Sequence, residues 1–207
     1  MSKKIKVLIA DDHAVVRIGL SALIGTERDM QIVGQAKDGV DAVSLALATQ
    51  PDVIIMDLRM PNSDGVTATQ QIAAKLPSAK IIILTSYGES DGVAHALESG
   101  AFGAISKTAE DAVLVSVVRR VAAGEKYVSP DIKKLLQDSP PVPKMTSRQQ
   151  EILSYMAKGL TNKDIAQLLD IREDSVEEHV NLILAKLDAA NRTEAVAIAL
   201  KKHLLQI

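Results

Sequence analysis

The sequence predicts an α/β domain with a parallel sheet, followed by a smaller all-α domain. The chain has 207 residues, which is long for one compact domain and comfortable for two. Residues 1–126 alternate short β-branched runs with longer amphipathic ones, whereas the chain beyond the proline-rich "DSPPVPK" shows helical periodicity alone. We therefore assign residues 1–126 to the first domain, 127–144 to a linker and 145–207 to the second domain.

Five repeats of strand then helix make up the first domain. Short apolar runs predict buried strands over residues 6–11, 31–36, 52–57, 80–85 and 103–107. Amphipathic segments predict helices over residues 14–24, 39–49, 65–76, 90–98 and 110–123. This order predicts a five-stranded parallel sheet with helices on both faces and right-handed crossovers. In such sheets, ligands bind at the carboxyl ends of the strands.

The linker and the second domain differ in composition. Three prolines fall in the four positions 140–143, which disfavours a helix and favours an extended, semi-rigid spacer. Helical spacing then returns in four segments, over residues 147–158, 162–169, 174–187 and 192–203. The second domain is therefore predicted to be a small four-helix domain without strands.

Composition narrows the function classes. The net charge of −2 divides evenly, with −1 in residues 1–144 and −1 in residues 145–207, so neither part has the basic excess of a strong nonspecific nucleic-acid binder. One Phe, three Tyr and no Trp argue against stacking on bases, and the absence of Cys excludes disulfides and thiolate chemistry. No segment has the pattern of a signal peptide or a membrane span. We expect a soluble, cytoplasmic protein without a membrane partner.

Polar residues of complementary chemistry follow four of the predicted strands. Asp11 and Asp12 follow the first strand, Asp57 ends the third, and Thr85 and Lys107 end the fourth and fifth. A single Asp there is most often a turn or cap residue, but five matching residues at four strand ends indicate a site. Converging carboxylates favour Mg²⁺, and the set suits phosphoryl transfer onto Asp57, with the metal and Lys107 neutralising charge.

These residues also carry a family resemblance over roughly residues 4–123. The motifs "IADDH", "IIMDLRMPNSDG", "ILTSY" and "AISKT" resemble the receiver domain of two-component response regulators. The resemblance implies a flavodoxin-like fold that takes phosphate from a sensor histidine kinase. It makes Asp57 the phosphoacceptor, Asp12 a direct Mg²⁺ ligand and Asp11 an acid acting through water. It also implies that the backbone carbonyl of Arg59 completes the metal site, and that Thr85 and Lys107 contact the phosphoryl group.

One position departs from the receiver pattern. Three residues before the lysine, receivers usually carry a Tyr or Phe that turns inward on activation, and this chain has Ala104. A methyl group cannot report a rotamer change by filling a pocket. Tyr87 is an alternative candidate for this role, and it fits a half-exposed loop residue equally well.

The second domain resembles the helix-turn-helix of the NarL/FixJ (LuxR-type) regulators over residues 145–200, in the segment that begins "MTSRQQEILSYMAKGLTNKDIAQLLDI". The resemblance implies that the third helix of this domain enters the DNA major groove, that phosphorylation promotes a homodimer, and that DNA binding controls transcription. Arg148 is a possible phosphate contact. The candidate DNA-binding residues are Lys163, Arg172, Glu177, Glu178, Asn181 and Arg192.

Acidic residues crowd the start of that third helix, in the stretch "DIREDSVEEHV". They fit helix capping, since Asp174 with Glu177, or Ser175 with Glu178, matches a capping box and carboxylates suit a first turn. They also oppose docking on phosphates, although a Glu can accept a hydrogen bond from a cytosine amino group. Two functions follow: a transcription regulator, or a phosphorylation-dependent protein-interaction regulator that no longer binds DNA. In either case we expect a switch rather than an enzyme.

The last helix allows two interpretations. Ala195, Ile198, Ala199 and Leu204 form an apolar stripe along the segment "RTEAVAIALKKHLL". This stripe is compatible with a dimer seam, and it is equally compatible with the core of the domain itself.

Overall fold

A computed structural model of the chain describes residues 4–86, 89–138, 141–142, 145–202 and 204–205. It divides into two compact units, with the boundary between residues 140 and 141. Each unit has its own apolar core. Tyr87, considered above for the role of the missing aromatic residue, lies outside the described residues.

The first unit is a parallel sheet with helices on both faces. Its strands are β1 (Ile5–Ala10), β2 (Met30–Ala36), β3 (Val53–Asp57), β4 (Lys80–Thr85), β5 (Gly103–Ser106) and β6 (Tyr127–Val128). Its helices are α1 (Ala14–Gly25), α2 (Gly39–Thr49), α3 (Gly65–Lys75), α4 (Ser90–Glu98), α5 (Asp111–Ala122) and α6 (Pro130–Asp138). The strands pair in the order β2-β1-β3-β4-β5-β6, and every pairing is parallel. The five predicted strands and five predicted helices are therefore present.

The core of the first unit lies on both faces of the sheet, because successive side chains of a strand point in opposite directions. Leu8, Ile54 and Ile83 belong to the cluster on one face, which also receives side chains from α2, α3, α4 and α6. Val7 and Ile55 belong to the cluster on the other face, which α1 and α5 cover. With both faces buried, the central strands read as continuous apolar runs, and their polar residues are confined to the strand ends.

The prediction of five strands was wrong by one, and the predicted linker over residues 127–144 was too long. β6 extends the sheet beside β5, with Gly103 opposite Tyr127 and Ala104 opposite Val128. The α6 helix then begins at Pro130, a position where proline costs no hydrogen bond, and it packs against α4 and β5 through a side that includes the buried Ile132. Residues 127–138 therefore belong to the first unit.

The second unit consists of helices among its described residues, as predicted. They are α7 (Ser147–Ala157), α8 (Asn162–Leu169), α9 (Glu173–Leu187) and α10 (Arg192–Lys201). Capping boxes at Thr146 with Gln149 and at Thr161 with Asp164 fix where α7 and α8 begin. The turn between α8 and α9 passes through Asp170, whose φ of 51° stops α8.

The apolar stripe of α10 belongs to the core of the second unit. Ala195 and Ala199 are fully buried among the apolar residues of α7, α8 and α9, and Ile198 and Leu204 pack against the same cluster. The structure thus supports the core interpretation of this stripe, and the two alanines are not free to form a dimer seam.

None of the helices in the described parts of the chain is long and apolar enough to cross a membrane. The longest of those mentioned above, α9, has 15 residues, against the roughly 20 that a bilayer core requires.

Gly65, at the start of α3, controls how closely this helix approaches the end of β3. A Cβ atom added there would lie 2.1 Å from the carbonyl oxygen of Asp57. We expect Gly65→Ala to lower the free energy of unfolding by roughly 1–3 kcal/mol, the usual cost of overpacking, because backbone atoms would have to shift. Urea unfolding followed by circular dichroism measures this.

Gly19 provides the matched control. It is an exposed residue inside α1, and a Cβ atom added there would meet nothing within 4 Å. We expect Gly19→Ala to raise the free energy of unfolding by about 0.5–1 kcal/mol, because glycine weakens a helix interior. Equal effects of the two substitutions would contradict the close approach at Gly65.

Candidate phosphoryl-transfer site and DNA-binding helix

Three carboxylates and an imidazole meet where β1 and β3 end. These strands are neighbours in the sheet, so their carboxyl ends bring Asp11, Asp12 and His13 beside Asp57. One ligand atom from each of the four side chains lies within 4.8 Å of the others. Asp11 and Asp57 are almost fully buried, whereas Asp12 and His13 are exposed. The predicted convergence of the three acids is therefore observed.

Lys107 bridges the two buried carboxylates. It directly follows β5, and its Nζ lies 2.8 Å from Asp11 Oδ2 and 2.9 Å from Asp57 Oδ2. Its backbone N–H donates to the carbonyl oxygen of Thr85, which holds the end of β5 against the end of β4. One ammonium thus faces two carboxylates, so the cluster keeps a net negative charge.

Burial and neighbouring charges act on the pKa values in this cluster. Burial raises the pKa of Asp57 above its ordinary value; Lys107 opposes that rise, and the negative charges of Asp11 and Glu89 add to it. Burial alone would lower the pKa of Lys107, but hydrogen bonds to Asp11 and Asp57 more than offset it, so the net direction is upward. Lys107 therefore stays positively charged at neutral pH, and its charge lies beside the carboxylate of Asp57.

His13 and Arg17 hold the loop after β1, and no role for either residue was predicted from the sequence. The His13 backbone N–H donates to Asp11 Oδ1 at 2.8 Å, and its Nδ1 lies 2.7 Å from Asp12 Oδ1. Arg17 Nη1 donates to the carbonyl oxygen of Asp11 at 2.7 Å and to that of Asp12 at 3.1 Å. The position of His13 directly after the acid pair is the signal that points to it.

Thr85 is fully buried, and its hydroxyl binds Glu89 instead of the acid cluster. The hydroxyl donates to Oε2 of Glu89, the residue directly before α4. Glu89 Oε1 in turn accepts from Arg59 Nε at 2.6 Å. The predicted switch threonine is thus tied to a carboxylate that sequence reasoning did not identify, because nothing in the local sequence marks Glu89.

The acid cluster suits a hard divalent cation. Asp11, Asp12 and Asp57 supply oxygen ligands, which Mg²⁺ prefers, and the cluster has negative charge to spare after pairing with Lys107. The backbone carbonyl of Arg59 remains a predicted fourth protein ligand. The guanidinium of Arg59 pairs with the carboxylate of Glu89.

The position of the missing aromatic residue is filled by helix packing. Ala104 is fully buried in the cluster that also contains Val93 of α4 and Ile132 of α6. Its carbonyl oxygen accepts a hydrogen bond from the backbone N–H of Ser129, directly before α6. This chain therefore places α6 against β5, three residues before Lys107.

Comparisons with known proteins agree with this geometry. Residues 7–119 match the model of the response regulator receiver domain, and residues 143–199 match that of the bacterial regulatory proteins of the luxR family. The chain belongs to the response-regulator family. It is a response regulator with a receiver domain and a LuxR-type helix-turn-helix DNA-binding domain, and its relatives include transcriptional regulators.

Relatives and solved structures cover nearly the whole response regulator. The transcriptional regulatory protein LiaR of Bacillus subtilis is 39% identical, over 97% of this chain and 99% of its own. The oxygen regulatory protein NreC of Staphylococcus carnosus is 41% identical, over 97% and 99%. The crystal structure of ChrA, the response regulator of a heme-sensing two-component system, has 32% identity and a TM-score of 0.60, and covers 99% of this chain and 100% of ChrA. None of these findings favours the alternative of a protein-interaction regulator.

The α9 helix of this response regulator turns an acidic side away from its core. Val176, Val180 and Ile183 are buried, whereas the exposed positions between them carry other chemistry. The exposed stripe consists of Asp174, Glu177, Glu178, Asn181 and Leu182. These five residues include no lysine or arginine, so this stripe offers no positive charge to a phosphate.

The capping-box explanation of these acids was wrong. The residue before α9 is Arg172, and its side chain makes no capping hydrogen bond; the pairs proposed from the sequence lie inside the helix. Glu173 and Asp174 occupy the first turn, where the helix dipole favours negative charge. Glu177 and Glu178 lie one turn further on, where that effect has faded, so capping does not explain them.

The predicted basic contacts of the DNA-binding domain divide into two groups. Arg192 donates to the carbonyl oxygen of Leu160 and to Asn162 Oδ1, and burial lowers its pKa, so its guanidinium serves the fold. Arg148 likewise donates to Glu151 and to the carbonyl oxygen of Leu169. Lys163 is exposed, and Arg172 is exposed beside Asp174 at 3.0 Å. Of the predicted basic contacts, Lys163 and Arg172 are thus the two whose side chains are exposed.

The raised pKa of Asp57 gives a stability prediction. The folded chain holds the Asp57 proton more tightly than the unfolded chain, so this group costs stability as the pH rises through its folded pKa. We expect Asp57→Asn, which cannot ionise, to raise the melting temperature by a few degrees at pH 7 with a chelator present. The gain should shrink as the pH is lowered towards the ordinary carboxylate value, near 4.

Asp38 is the control of opposite sign. Hydrogen bonds from the Asp41 backbone and from Asn62 lower its pKa, so its ionised form stabilises the fold. Asp38→Asn should therefore lower the melting temperature at pH 7, and the loss should fade at low pH. A lower melting temperature for Asp57→Asn at pH 7 would contradict the effect of burial on Asp57.

Proposed function

We propose that Asp57 accepts a phosphoryl group from the phosphohistidine of a sensor histidine kinase, and that this phosphorylation controls DNA binding. One observation carries the proposal: Lys107 Nζ lies between Asp11 and Asp57, within 3 Å of both, in a cluster of acids at the strand ends. Such a site attracts a phosphoryl group through Lys107 and presents a carboxylate oxygen to it. The family match over residues 7–119 gives the same context.

The transfer conserves charge and atoms as follows. A carboxylate oxygen of Asp57 attacks phosphorus, the P–N bond to the donor histidine breaks, and its electron pair stays on the imidazole nitrogen, which takes a proton from solvent. The product is an acyl phosphate on Asp57. Lys107 neutralises the charge on the phosphoryl oxygens, and it stays protonated because two carboxylates hold it.

Mg²⁺ is the proposed cofactor, held by Asp11, Asp12, Asp57 and the Arg59 backbone carbonyl. When bound, it supplies positive charge to the transferring phosphoryl group. The oxygen ligands and the remaining negative charge of the cluster support this choice. His13 orients Asp12 through its Nδ1, and Arg17 holds the backbone that carries Asp11 and Asp12.

The protein acts as a switch rather than as an enzyme in this proposal. Hydrolysis of the acyl phosphate resets the switch and releases no product that serves a further reaction. The two partners, a phosphorylated kinase and DNA, meet the protein in the cytoplasm. The proposal includes a homodimer that forms on phosphorylation. Such a dimer would place its paired helix-turn-helix domains on two half-sites of DNA.

DNA binding by this protein depends on few positive contacts. Lys163 and Arg172 lie outside the acidic stripe of α9 and are the proposed phosphate contacts. Glu177, Glu178 and Asn181 are the proposed base contacts, since carboxylates accept from cytosine amino groups and Asn pairs with adenine. The acids cost affinity for phosphates, and they restrict binding to sites that present amino groups.

Labelling with acetyl phosphate and Mg²⁺ tests the phosphoacceptor. We expect the parent protein to take up phosphate and Asp57→Asn to take up none, because the amide is a poor nucleophile. Phosphate-affinity gel electrophoresis measures the labelled fraction.

Asp64→Asn is the matched control for labelling. Asp64 caps α3 in the loop after Asp57, and Asn caps a helix about as well as Asp. This variant should be labelled like the parent. Persistent labelling of Asp57→Asn would place the phosphate on another residue and sink the site assignment.

Fluorescence anisotropy against a pool of genomic DNA fragments tests the role of α9. We expect binding by the parent on phosphorylation. For Glu177→Lys we expect a gain of about 2 kcal/mol, or roughly thirtyfold, for each subunit that binds, since a negative charge that repels the phosphates around the base contact becomes a positive charge that attracts them. The salt dependence of the variant should also be steeper, because it releases an additional counterion.

Glu98→Lys provides the same charge change on the receiver domain, at an exposed residue of α4. An equal gain from this control would mean that net charge alone raises the affinity. In that case, Glu177 does not face the DNA.

A further inference from the structure

Glu89 joins two residues that border the acid cluster. Its Oε2 accepts from the Thr85 hydroxyl and from the Ser86 backbone N–H, the latter at 3.1 Å. Its Oε1 accepts from Arg59 Nε at 2.6 Å. The Glu89 side chain is only 10% exposed and Thr85 is fully buried, so the bond between them is more shielded from water than the bond to Arg59, whose side chain is 50% exposed.

Thr85 has one hydroxyl proton and two competing acceptors. The structure directs this proton to Glu89, with the Ser86 carbonyl oxygen at 3.1 Å as a second acceptor. If Thr85 is to donate to a phosphoryl oxygen on Asp57, the bond to Glu89 must break first. The hydrogen bond between Thr85 and Glu89 therefore belongs to the unphosphorylated receiver and is lost when Thr85 binds the phosphoryl group.

We propose that Glu89 is a positioning residue that holds Thr85 away from Asp57 until phosphorylation, and so opposes formation of the phosphorylated state. The inference rests on the proposed function, since it takes Asp57 as the phosphoacceptor. Arg59 belongs to the same device: its guanidinium fixes the Glu89 carboxylate in the position from which it accepts from Thr85.

Charge explains why phosphorylation releases this contact. Glu89 binds Thr85, the last residue of β4, and β4 lies beside β3, which ends at Asp57, so the two carboxylates lie at the same edge of the sheet. A phosphoryl group adds about 1.5–2 negative charges near the Glu89 carboxylate, so repulsion between the two grows when Asp57 is phosphorylated. Glu89 then moves away, Thr85 turns its hydroxyl to the phosphoryl oxygen, and the start of α4 at Ser90 moves with Glu89.

Binding of beryllofluoride, a phosphoryl mimic, tests this in the full chain with Mg²⁺ and fluorine NMR as the readout. We expect Glu89→Ala to bind it about tenfold more tightly than the parent, the factor that corresponds to one charge-assisted hydrogen bond. Glu89→Gln should fall between them, because its amide oxygen still accepts from Thr85 but without the charge. Glu98→Gln, which removes a charge from the exposed end of α4, should bind like the parent.

A double-mutant cycle separates the effect of the hydrogen bond between Thr85 and Glu89 from the effect of the Glu89 charge. In a Thr85→Val background, Glu89→Ala should change beryllofluoride affinity less than about threefold, because the bond that Glu89 holds is already gone. A tenfold gain in both backgrounds would show that Glu89 acts on the site by charge alone and would overturn the proposal. Parent-like affinity of Glu89→Ala would overturn it as well.

The proposed function fails in a different way. Beryllofluoride binding that is absent from the parent, or unchanged in Asp57→Asn, would contradict both Asp57 as the phosphoacceptor and the role of Glu89. Binding that depends on Asp57 but is insensitive to Glu89 would contradict the role of Glu89 alone. Thr85→Ala serves as a second background where the valine variant does not fold.

Discussion

The ion pairs of Lys107 with Asp11 and Asp57 are the interaction on which the receiver site depends. Each partner follows or ends a different strand, so the pairs form only if β1, β3 and β5 end at the same edge of the sheet. Two buried carboxylates without a cation would repel each other and oppose folding. The aliphatic core on both faces of the sheet supplies the stability that keeps this excess of negative charge in one place.

Sequence reasoning located those parts of the molecule that follow from residue type and period. Continuous apolar runs gave five strands, and charged residues at their ends gave Asp11, Asp57 and Lys107. It missed β6 because two residues are too few to show a period, and it missed α6 because the prolines after it suggested an extended chain. Glu89 was missed for another reason, since its contacts with Thr85 and Arg59 depend on the path of a loop that no local pattern predicts.

The helix-turn-helix domain shows a similar division. Its four helices and its apolar core follow from spacing, and capping boxes mark two of the helix starts. The charge of a residue does not predict which arginines are exposed to a ligand. Arg192 donates to the Leu160 carbonyl oxygen inside the domain, whereas Arg172 is exposed at the surface. The acids of α9 are likewise clear in the sequence, but only the helix start at Glu173 shows that Glu177 and Glu178 stand beyond the reach of a cap.

The short strand β6 and the helix α6 decide where this protein can be divided. A receiver fragment that stops at residue 126 would lose the hydrogen bond from Ser129 to Ala104 and the cover that Ile132 gives to β5 and α4. Its open sheet edge would then be a template for pairing with another chain. A fragment that runs to residue 138 keeps β5 paired with β6 and covered by α6, so the minimal receiver is a dozen residues longer than its five strand–helix repeats suggest.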